Sequence, residues 1–560
     1  MAGDIDSTRA PERSGITAQF KSHLMSREAA ISLALLVVTF ATYWFLGPKD
    51  TPYSFQVSQA NNLIHGHLDL RLEHTKNLDV LEQVLYDGDR FCISPRRQDR
   101  AELTVEYAEA IERGASPEQA RQSVLSPSCK TYMQHGLGPA FVVLPGVLIW
   151  GKDLNQTLVS AVIGALTAVV VYAIARRLTP NLAAQVALSA LMMFGTILWW
   201  VASNGGVWFF AHTMAVFFLF GAIYFALVRR NPAAAGALLG AAFMSRPTVI
   251  MAGLFFVVMF SDLWLKPRLE GQPLLGRIDW RPAAQFAAGI APFLLVSMAL
   301  NYLRYDNPLE TGYAYVESAH QTSHQYWYSE GTLDISYIQR HPPVLFGAMP
   351  VFQHGAPYVL PSWFGAAVWL TTPAFLYAFF PGIRRPWIIG GLGAALAAAA
   401  TAIIAGAATR NLDLGPFDRD ITGSWDFLPF WDAHLFELDL MGSWQYLPFY
   451  AGVALSIGAS ILLLRRQGDR LAIACWAAIA PTVLVIFSFA FIGWAQFGYR
   501  YALDFTPFLW LLVAHAVGAG MKWHHWALIG VSIAVNLWGV LWIYQFQPDA
   551  AFGVTQWVTF

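Results

Sequence analysis

Residues 29–46 read AAISLALLVVTFATYWFL, an uncharged stretch that runs straight into Gly47-Pro48-Lys49-Asp50. Its length is close to the ~20 residues a helix needs to cross a hydrocarbon layer about 30 Å thick. No small-residue cleavage pattern follows, so the stretch reads as a retained anchor, not a removed signal peptide. Working outward, similar runs recur at 154–174, 182–202, 209–228, 233–244, 249–265, 283–300, 363–380, 388–408, 447–464, 471–491, 505–521 and 526–544, thirteen in all, with 233–244 the shortest. They are continuous, unlike the alternating ten-residue segments of an outer-membrane barrel. Composition agrees. Charged residues make up 13% of the chain, against roughly 25% in soluble domains. The apolar share of 56% and mean hydropathy of +0.44 exclude disorder as well. The fold class expected is an all-α polytopic membrane protein with about 13 transmembrane helices.

Loop charge sets the expected orientation. One set of loops carries Arg176-Arg177, Arg229-Arg230, Lys266, Arg268, Arg277, Arg281, Arg384-Arg385, Arg465-Arg466, Arg470 and Lys522. With the N-terminal tail, that side holds 18 of the 35 lysines and arginines but only 8 of the 36 acids. The positive-inside rule then puts the N-terminus in the cytosol and the C-terminus outside. Residues 1–28 form the cytosolic tail, 29–544 a single transmembrane domain and 545–560 an outer tail. Three long loops fall outside, at 47–153, 301–362 and 409–446. A chain with its polar mass on the outer face does its work there. Charges are scarce inside the runs and sit near their ends, which argues against an ion-coupled carrier.

The first outer loop has structure of its own. Residues 54–70 read as amphipathic, with apolar residues at Phe55, Val57, Ala60, Leu63 and Ile64, as in a helix lying along a membrane surface. Residues 101–113 have helical spacing, and Ser116-Pro117-Glu118 reads as a helix start with a serine cap and proline at the first position. Residues 138–150, interrupted by Pro139 and Pro145, are too short to cross and read as a surface-lying or re-entrant helix. Cys92 and Cys129 share this loop; in an oxidising compartment they are expected to pair. No cysteine or histidine spacing matches a zinc site, and His65-Gly66-His67 and His524-His525 read as interface residues.

Chemistry is sought at the outer helix ends. Asp50 follows the first run directly and is held by a helix end and Pro52, the place for a general base; a solvated turn acid is the plainer reading of the residue itself. Asp87 and Asp89 have the spacing for a divalent cation, although Asp87-Gly88 is equally a turn signal, and the turn is preferred. Asp418 and Asp420 share that spacing and that weakness. Arg246-Pro247 lies between two runs, where the arginine can clamp a phosphate or bind carbonyls freed at the turn. Tyr499-Arg500-Tyr501 with Asp504 offers either an Arg500–Asp504 pair one helical turn apart or an arginine facing an anion. Trp208, Phe209, Phe210 and His212 open another run at the same level.

Several blocks, taken in order, resemble the polytopic GT-C glycosyltransferases, especially bacterial members similar to protein O-mannosyltransferases and the lipid A aminoarabinose transferase. They are Asp50-Thr51-Pro52-Tyr53 with Asn62-Leu63-Ile64-His65-Gly66, Tyr86-Asp87-Gly88, Gly138-Pro139-Ala140, Phe194-Gly195-Thr196 and Val207-Trp208-Phe209-Phe210-Ala211. Further along come Met244-Ser245-Arg246-Pro247, Asn301 to Tyr305 with Asn307 to Tyr313, and Gln496 to Tyr501. The resemblance implies a GT-C-like fold in a bacterial inner membrane. It implies transfer of a sugar from a polyprenyl-phosphate donor to a lipid, glycan or protein acceptor on the outer face, usually with inversion. Asp50 is the position matching the family's base. Arg246, Arg500, Arg304 and His212 are the candidates for the donor phosphate, and Tyr53, Tyr313 and Tyr499 for substrate contact.

No cofactor is required by this reading; a divalent cation is left open, and nucleic acid is not expected. Two departures stand out. The paired Asp-Glu of many protein mannosyltransferases is missing, and about forty residues are inserted between Ser94 and Gln134. The alternative from another class is a transporter or flippase of lipid-linked sugars. It calls for inverted repeats and a polar midplane cavity, neither of which the sequence shows.

Overall fold

The computed structural model describes residues 13–76, 83–88, 90–260, 280–322, 327–348, 350–352, 359–361, 365–379, 469–493, 496–518 and 520–545. The expected spans at 388–408 and 447–464, the loop 409–446 with Asp418 and Asp420, Asp89, and the tail beyond Gln545 lie outside these residues.

The described chain is mostly helical. Helix α1 (Arg13–Leu46) carries the first apolar run and ends at Gly47. The segment after it, through Asp153, packs small elements onto one end of the helical bundle. These are α2 (Phe55–Ile64), strand β1 (Gln83–Tyr86), α3 (Val105–Glu112), α4 (Pro117–Val124), strand β2 (Lys130–Met133) and α5 (Gly138–Trp150). The local signals explain them. Thr104 caps α3 by accepting from Tyr107 N, and Ser116 and Gln119 form a capping box around Pro117 at the start of α4. β1 and β2 pair antiparallel, Gln83 opposite Met133 and Tyr86 opposite Lys130. Cys92 and Cys129 form the expected disulfide, with Cα atoms 5.8 Å apart. Ala101 and Val124 of the inserted segment form a small core with Leu85, Phe91 and Ile93, which precede it.

One expectation for this segment is corrected. The helix read over 54–70 is confined to α2, whose residues 55–62 are all buried rather than half-exposed, while its end at Ile64 is exposed. Its polar residues Gln56, Ser58, Gln59, Asn61 and Asn62 are buried too. Asn62 shows why. Its side-chain amide donates to Thr75 Oγ1, and its Oδ1 accepts from Arg71 N. Buried polar groups usually keep their hydrogen bonds, and for Asn62 the following loop supplies the partners.

The bundle follows: α6 (Gln156–Leu178), α7 (Leu182–Phe194), α8 (Leu198–Asn204), α9 (Val207–Tyr224, continued as a wider turn through Arg229), α10 (Pro232–Ser245), α11 (Gly253–Phe260) and α12 (Trp280–Tyr305). After these come a short α13 (Val368–Thr371), α14 (Arg470–Phe487), α15 (Thr506–Val517) and α16 (Trp523–Tyr544). Six helices among the described residues are long and apolar enough to cross a membrane: Arg27–Leu46, Gln156–Leu178, Val207–Arg229, Trp280–Tyr305, Arg470–Phe487 and Trp523–Tyr544. The pair α7 and α8, bent by 53°, makes a seventh if it is one span. The described parts of the runs at 233–244, 249–265 and 505–521 lie in shorter apolar helices, Pro232–Ser245, Pro247–Phe260 and Thr506–Val517. The run at 363–380 is not one helix. Pro373 disfavours helical backbone at Thr372, and the chain changes from α13 to a 3-10 turn there.

Packing inside the bundle depends on small residues, as expected where lipid removes the hydrophobic drive between helices. Gly236 and Gly289 bring α10 and α12 so close that a Cβ on Gly236 would lie 2.1 Å from Phe286 O. Two buried ring groups bond to carbonyls of neighbouring helices: Trp510 Nε1 donates to Leu188 O at 2.8 Å, and Tyr43 Oη to Met193 O at 2.6 Å. Gln545 Nε2 donates to Leu46 O at 2.8 Å, so α16 ends beside the end of α1, at the loop-one end of the bundle. Arg176, in the last turn of α6, pairs with Glu28, midway along α1.

Candidate functional site

The site sits where loop one meets the ends of α9, α10 and α15. Pro247 stops α10 after Ser245, leaving Arg246 as an extended cap residue at the turn. Its guanidinium meets Asp504, which a short 3-10 turn (Arg500–Asp504) carries to the start of α15. Arg246 Nε donates to Oδ1 at 2.7 Å and Nη2 to Oδ2 at 2.9 Å, the fork geometry of a strong pair. Thr248 Oγ1 donates to Oδ2 at 2.5 Å, and His212 Nδ1, on α9, lies 3.2 Å from Oδ1. Asp504 is fully buried. The Arg500–Asp504 pairing weighed from the sequence does not form, because a 3-10 turn lies between the two residues and Arg246 takes both carboxylate oxygens.

Tyr501 is the centre of the cationic part. The guanidinium carbons of Arg246 and Arg500 lie 5.4 and 5.3 Å from its ring centroid. Arg500 also lies 5.6 Å from the Phe209 ring. Two arginines gathered on one electron-rich ring gain cation–π attraction. Arg304, at the end of α12, is buried; its Nη2 donates to Asn301 Oδ1 at 2.8 Å. Its Nε finds no acceptor among the described residues.

His135 completes the group, and sequence reasoning missed it. No motif marks it; what places it is the close approach of Gly136 and Gly138 to the end of α10. A Cβ on Gly136 would lie 2.2 Å from Met244 O, so the loop can pass there only as glycine. Burial, then the positive charges of Arg246 and Arg500, push the His135 imidazole down to about 3. It is therefore neutral at ordinary pH, a donor and acceptor beside cations. Thr248 was missed too, since a lone threonine carries no sequence signal.

Asp50 stands apart from these contacts. It is exposed; its Oδ1 accepts from Thr51 N at 2.9 Å and its Oδ2 lies 4.0 Å from Lys76 Nζ. The turn it belongs to is fixed on α9, because Val207 N donates to Tyr53 O at 3.0 Å. Tyr53 packs on Trp208 with centroids 4.9 Å apart, and burial pushes its phenol up to about 12. Tyr313 is half-buried and meets Phe489 edge-on, within electrostatic reach of Arg246. Tyr499 is wholly buried and its hydroxyl pairs with His341 Nδ1 at 2.7 Å, so it belongs to the packing and leaves Tyr501 as the tyrosine between the arginines.

Asp87 is not set up as a metal ligand. Ser126 Oγ donates to its Oδ2 at 2.5 Å and Ser128 Oγ to its Oδ1 at 2.7 Å, which hold its carboxyl below the usual range. The turn reading of Asp87-Gly88 fits, with Gly88 at φ +78°. No family model matches the chain, and no curated protein or solved structure matches it.

Proposed function

We propose that the chain is a polytopic membrane glycosyltransferase. It moves a sugar from a polyprenyl-phosphate donor to an acceptor hydroxyl on the outer face, with inversion. The single observation that carries the reading is the meeting of Arg246 and Arg500 at the Tyr501 ring, at the loop-one end of the bundle. A lipid phosphate keeps its tail in the bilayer and its anion at that level. Its departure as a leaving group needs positioned cationic donors. Arg246 binds Asp504 through Nε and Nη2, which leaves Nη1 as its donor for phosphate. Arg304, against the Tyr305 ring, has an Nε without an acceptor among the described residues and remains a further candidate donor.

In this reading Asp50 is the base. It is exposed, as a group that meets an incoming acceptor must be, and it is anchored through Tyr53 to the helix that carries His212. As the acceptor oxygen attacks the anomeric carbon, the bond to phosphate breaks and Asp50 takes the hydroxyl proton. Such general-base assistance is typically worth 10²–10⁴-fold. The GT-C-like fold with about 13 spans, the bacterial inner-membrane location and the cytosolic N-terminus are part of the same proposal, supported by the order of the sequence blocks and the loop-charge asymmetry.

The test is transfer by purified protein from a synthetic polyprenyl-phosphate sugar. Asp50→Asn should abolish transfer yet still bind donor, and Arg500→Ala should raise the donor concentration required. Transfer by Asp50→Asn at near the parent rate would remove Asp50 from the mechanism. Lipid translocation without any cleavage of the donor would favour a flippase. Cysteine labelling of Gln98→Cys from outside only, and of Gly271→Cys from inside only, checks the orientation.

A further inference from the structure

The loop that follows α2 brings together three groups that the sequence keeps apart. His67, Glu73 and His74 each point a ligand atom into one spot, with the three atoms within 4.8 Å of one another. The spacing of these residues in the chain matches no familiar metal motif, and the fold of the loop is what collects them. Asn62 holds its backbone. His67 N donates to Asn62 O at 3.0 Å, Arg71 N to Asn62 Oδ1 at 2.8 Å, and Asn62 Nδ2 to Thr75 Oγ1 at 2.9 Å. Asn61 Nδ2 donates to the backbone carbonyl of His74 at 3.0 Å. Both sides of the cluster are thus tied to the same buried helix turn. Gly66, at φ +79°, makes the reversal between His65 and His67.

The side chains are ordered as well. His65 donates from Nδ1 to Asn61 O at 2.7 Å, which fixes that ring. The His74 ring stacks on it with centroids 3.9 Å apart and planes 10° from parallel. A stacked imidazole cannot swing freely, so His74 is oriented before any ligand arrives.

We propose that His67, Glu73 and His74 form a Zn²⁺ site, with a fourth position open to water or to an anionic oxygen. Two imidazoles and one carboxylate are a donor set for zinc; magnesium and calcium would demand all-oxygen shells. Tetrahedral zinc with bonds of ~2.0–2.2 Å places its ligand atoms roughly 3.4 Å apart. From 4.8 Å that closure asks for side-chain movements of about an ångström, and the hydrogen-bonded backbone can stay in place. The ion would fasten the turn after α2 to residues 71–76, and so fix Lys76, whose Nζ lies 4.0 Å from Asp50 Oδ2. The site does not depend on the glycosyltransferase reading, since it stands whatever the chain transfers.

The experiment uses the full chain without a polyhistidine tag, stripped with a chelator and titrated with ZnCl₂ against a chromogenic zinc indicator. One high-affinity equivalent is expected. His67→Ala and His74→Ala should remove it, and Glu73→Gln should weaken it by about tenfold or more. Glu73 is 70% exposed, so that variant tests the site without threatening the fold. His524→Ala, on α16, should bind zinc as the parent does. In a chelator the parent and Glu73→Gln should melt alike, and zinc should raise the melting temperature of the parent more. Failure of the parent to compete with the indicator, or equal affinity in the parent and in a His67→Ala/His74→Ala double variant, overturns the proposal.

Discussion

Arg246 and Asp504, 258 residues apart in the chain, meet through two parallel hydrogen bonds of 2.7 and 2.9 Å at the loop-one end of the bundle. The pair joins the cap of α10 to the start of α15, with Thr248 and His212 closing around the same carboxylate. Arg246 therefore has two jobs, holding the fold and presenting a donor, and a variant has to separate them.

Arg246→Ala should destabilise the protein strongly, because it leaves a fully buried carboxylate without its counter-ion. Breaking one side of such a pair costs about 3–5 kcal/mol. Replacing both partners, as Arg246→Met with Asp504→Leu, should recover much of that loss. Thermal unfolding in detergent measures both. If the single and double variants melt together, the pair does not hold the helix ends.

Removal of the disulfide should loosen the inserted segment. Cys92 and Cys129 are 37 residues apart. On the loop-entropy model a link of that length stabilises by about 4 kcal/mol, and the Cys92→Ser/Cys129→Ser variant should be cut by protease within residues 95–125 far faster than the parent. Denatured, unreduced protein should show one free thiol, Cys475, and three after reduction. Three thiols before reduction would refute the bridge.

Gly236→Leu should prevent α10 and α12 from closing, because the first added carbon would already lie 2.1 Å from Phe286 O. Overpacking typically costs 1–3 kcal/mol, and backbone contact leaves less room for relief than a side chain would. Gly530→Leu, at an exposed position where a Cβ meets nothing within 4 Å, is the matched control. A lower melting temperature and poorer extraction are expected for Gly236→Leu only; equal behaviour of the two variants would show that the close approach is unimportant.

His135 should make the folded protein acid-sensitive. Its pKa of about 3 in the fold lies below the 6.5 of a free imidazole, so the unfolded chain binds the proton more readily. The associated stability is fully present above pH 6.5 and is lost progressively as pH falls from there toward 3. His135→Gln removes the titrating group. Its melting temperature should fall less than the parent's between pH 7 and pH 5. Parallel pH profiles would place the imidazole in water instead.

The sequence by itself determined what the solvent and the local backbone enforce. Long apolar runs near Ala29, Gln156, Val207, Trp280, Arg470 and Trp523 become helices of spanning length because lipid accepts no unpaired backbone. Thr104, Ser116 and Pro117 start their helices because the cap chemistry is local. The Cys92–Cys129 pair was legible because these two of the three cysteines share the first loop. Tertiary structure decided everything that depends on distant approach. Which carboxylate Arg246 binds could not be read, since Arg500 was nearer to Asp504 in sequence and a 3-10 turn with a partner from α10 set the outcome. His135 and Thr248 joined the site through backbone paths set by Gly136, Gly138 and Pro247, and His67 met His74 through a loop folded on Asn62. Spacing along a chain reports neighbours within one helix or strand; a site built from a loop and three helix ends is fixed only when those elements pack.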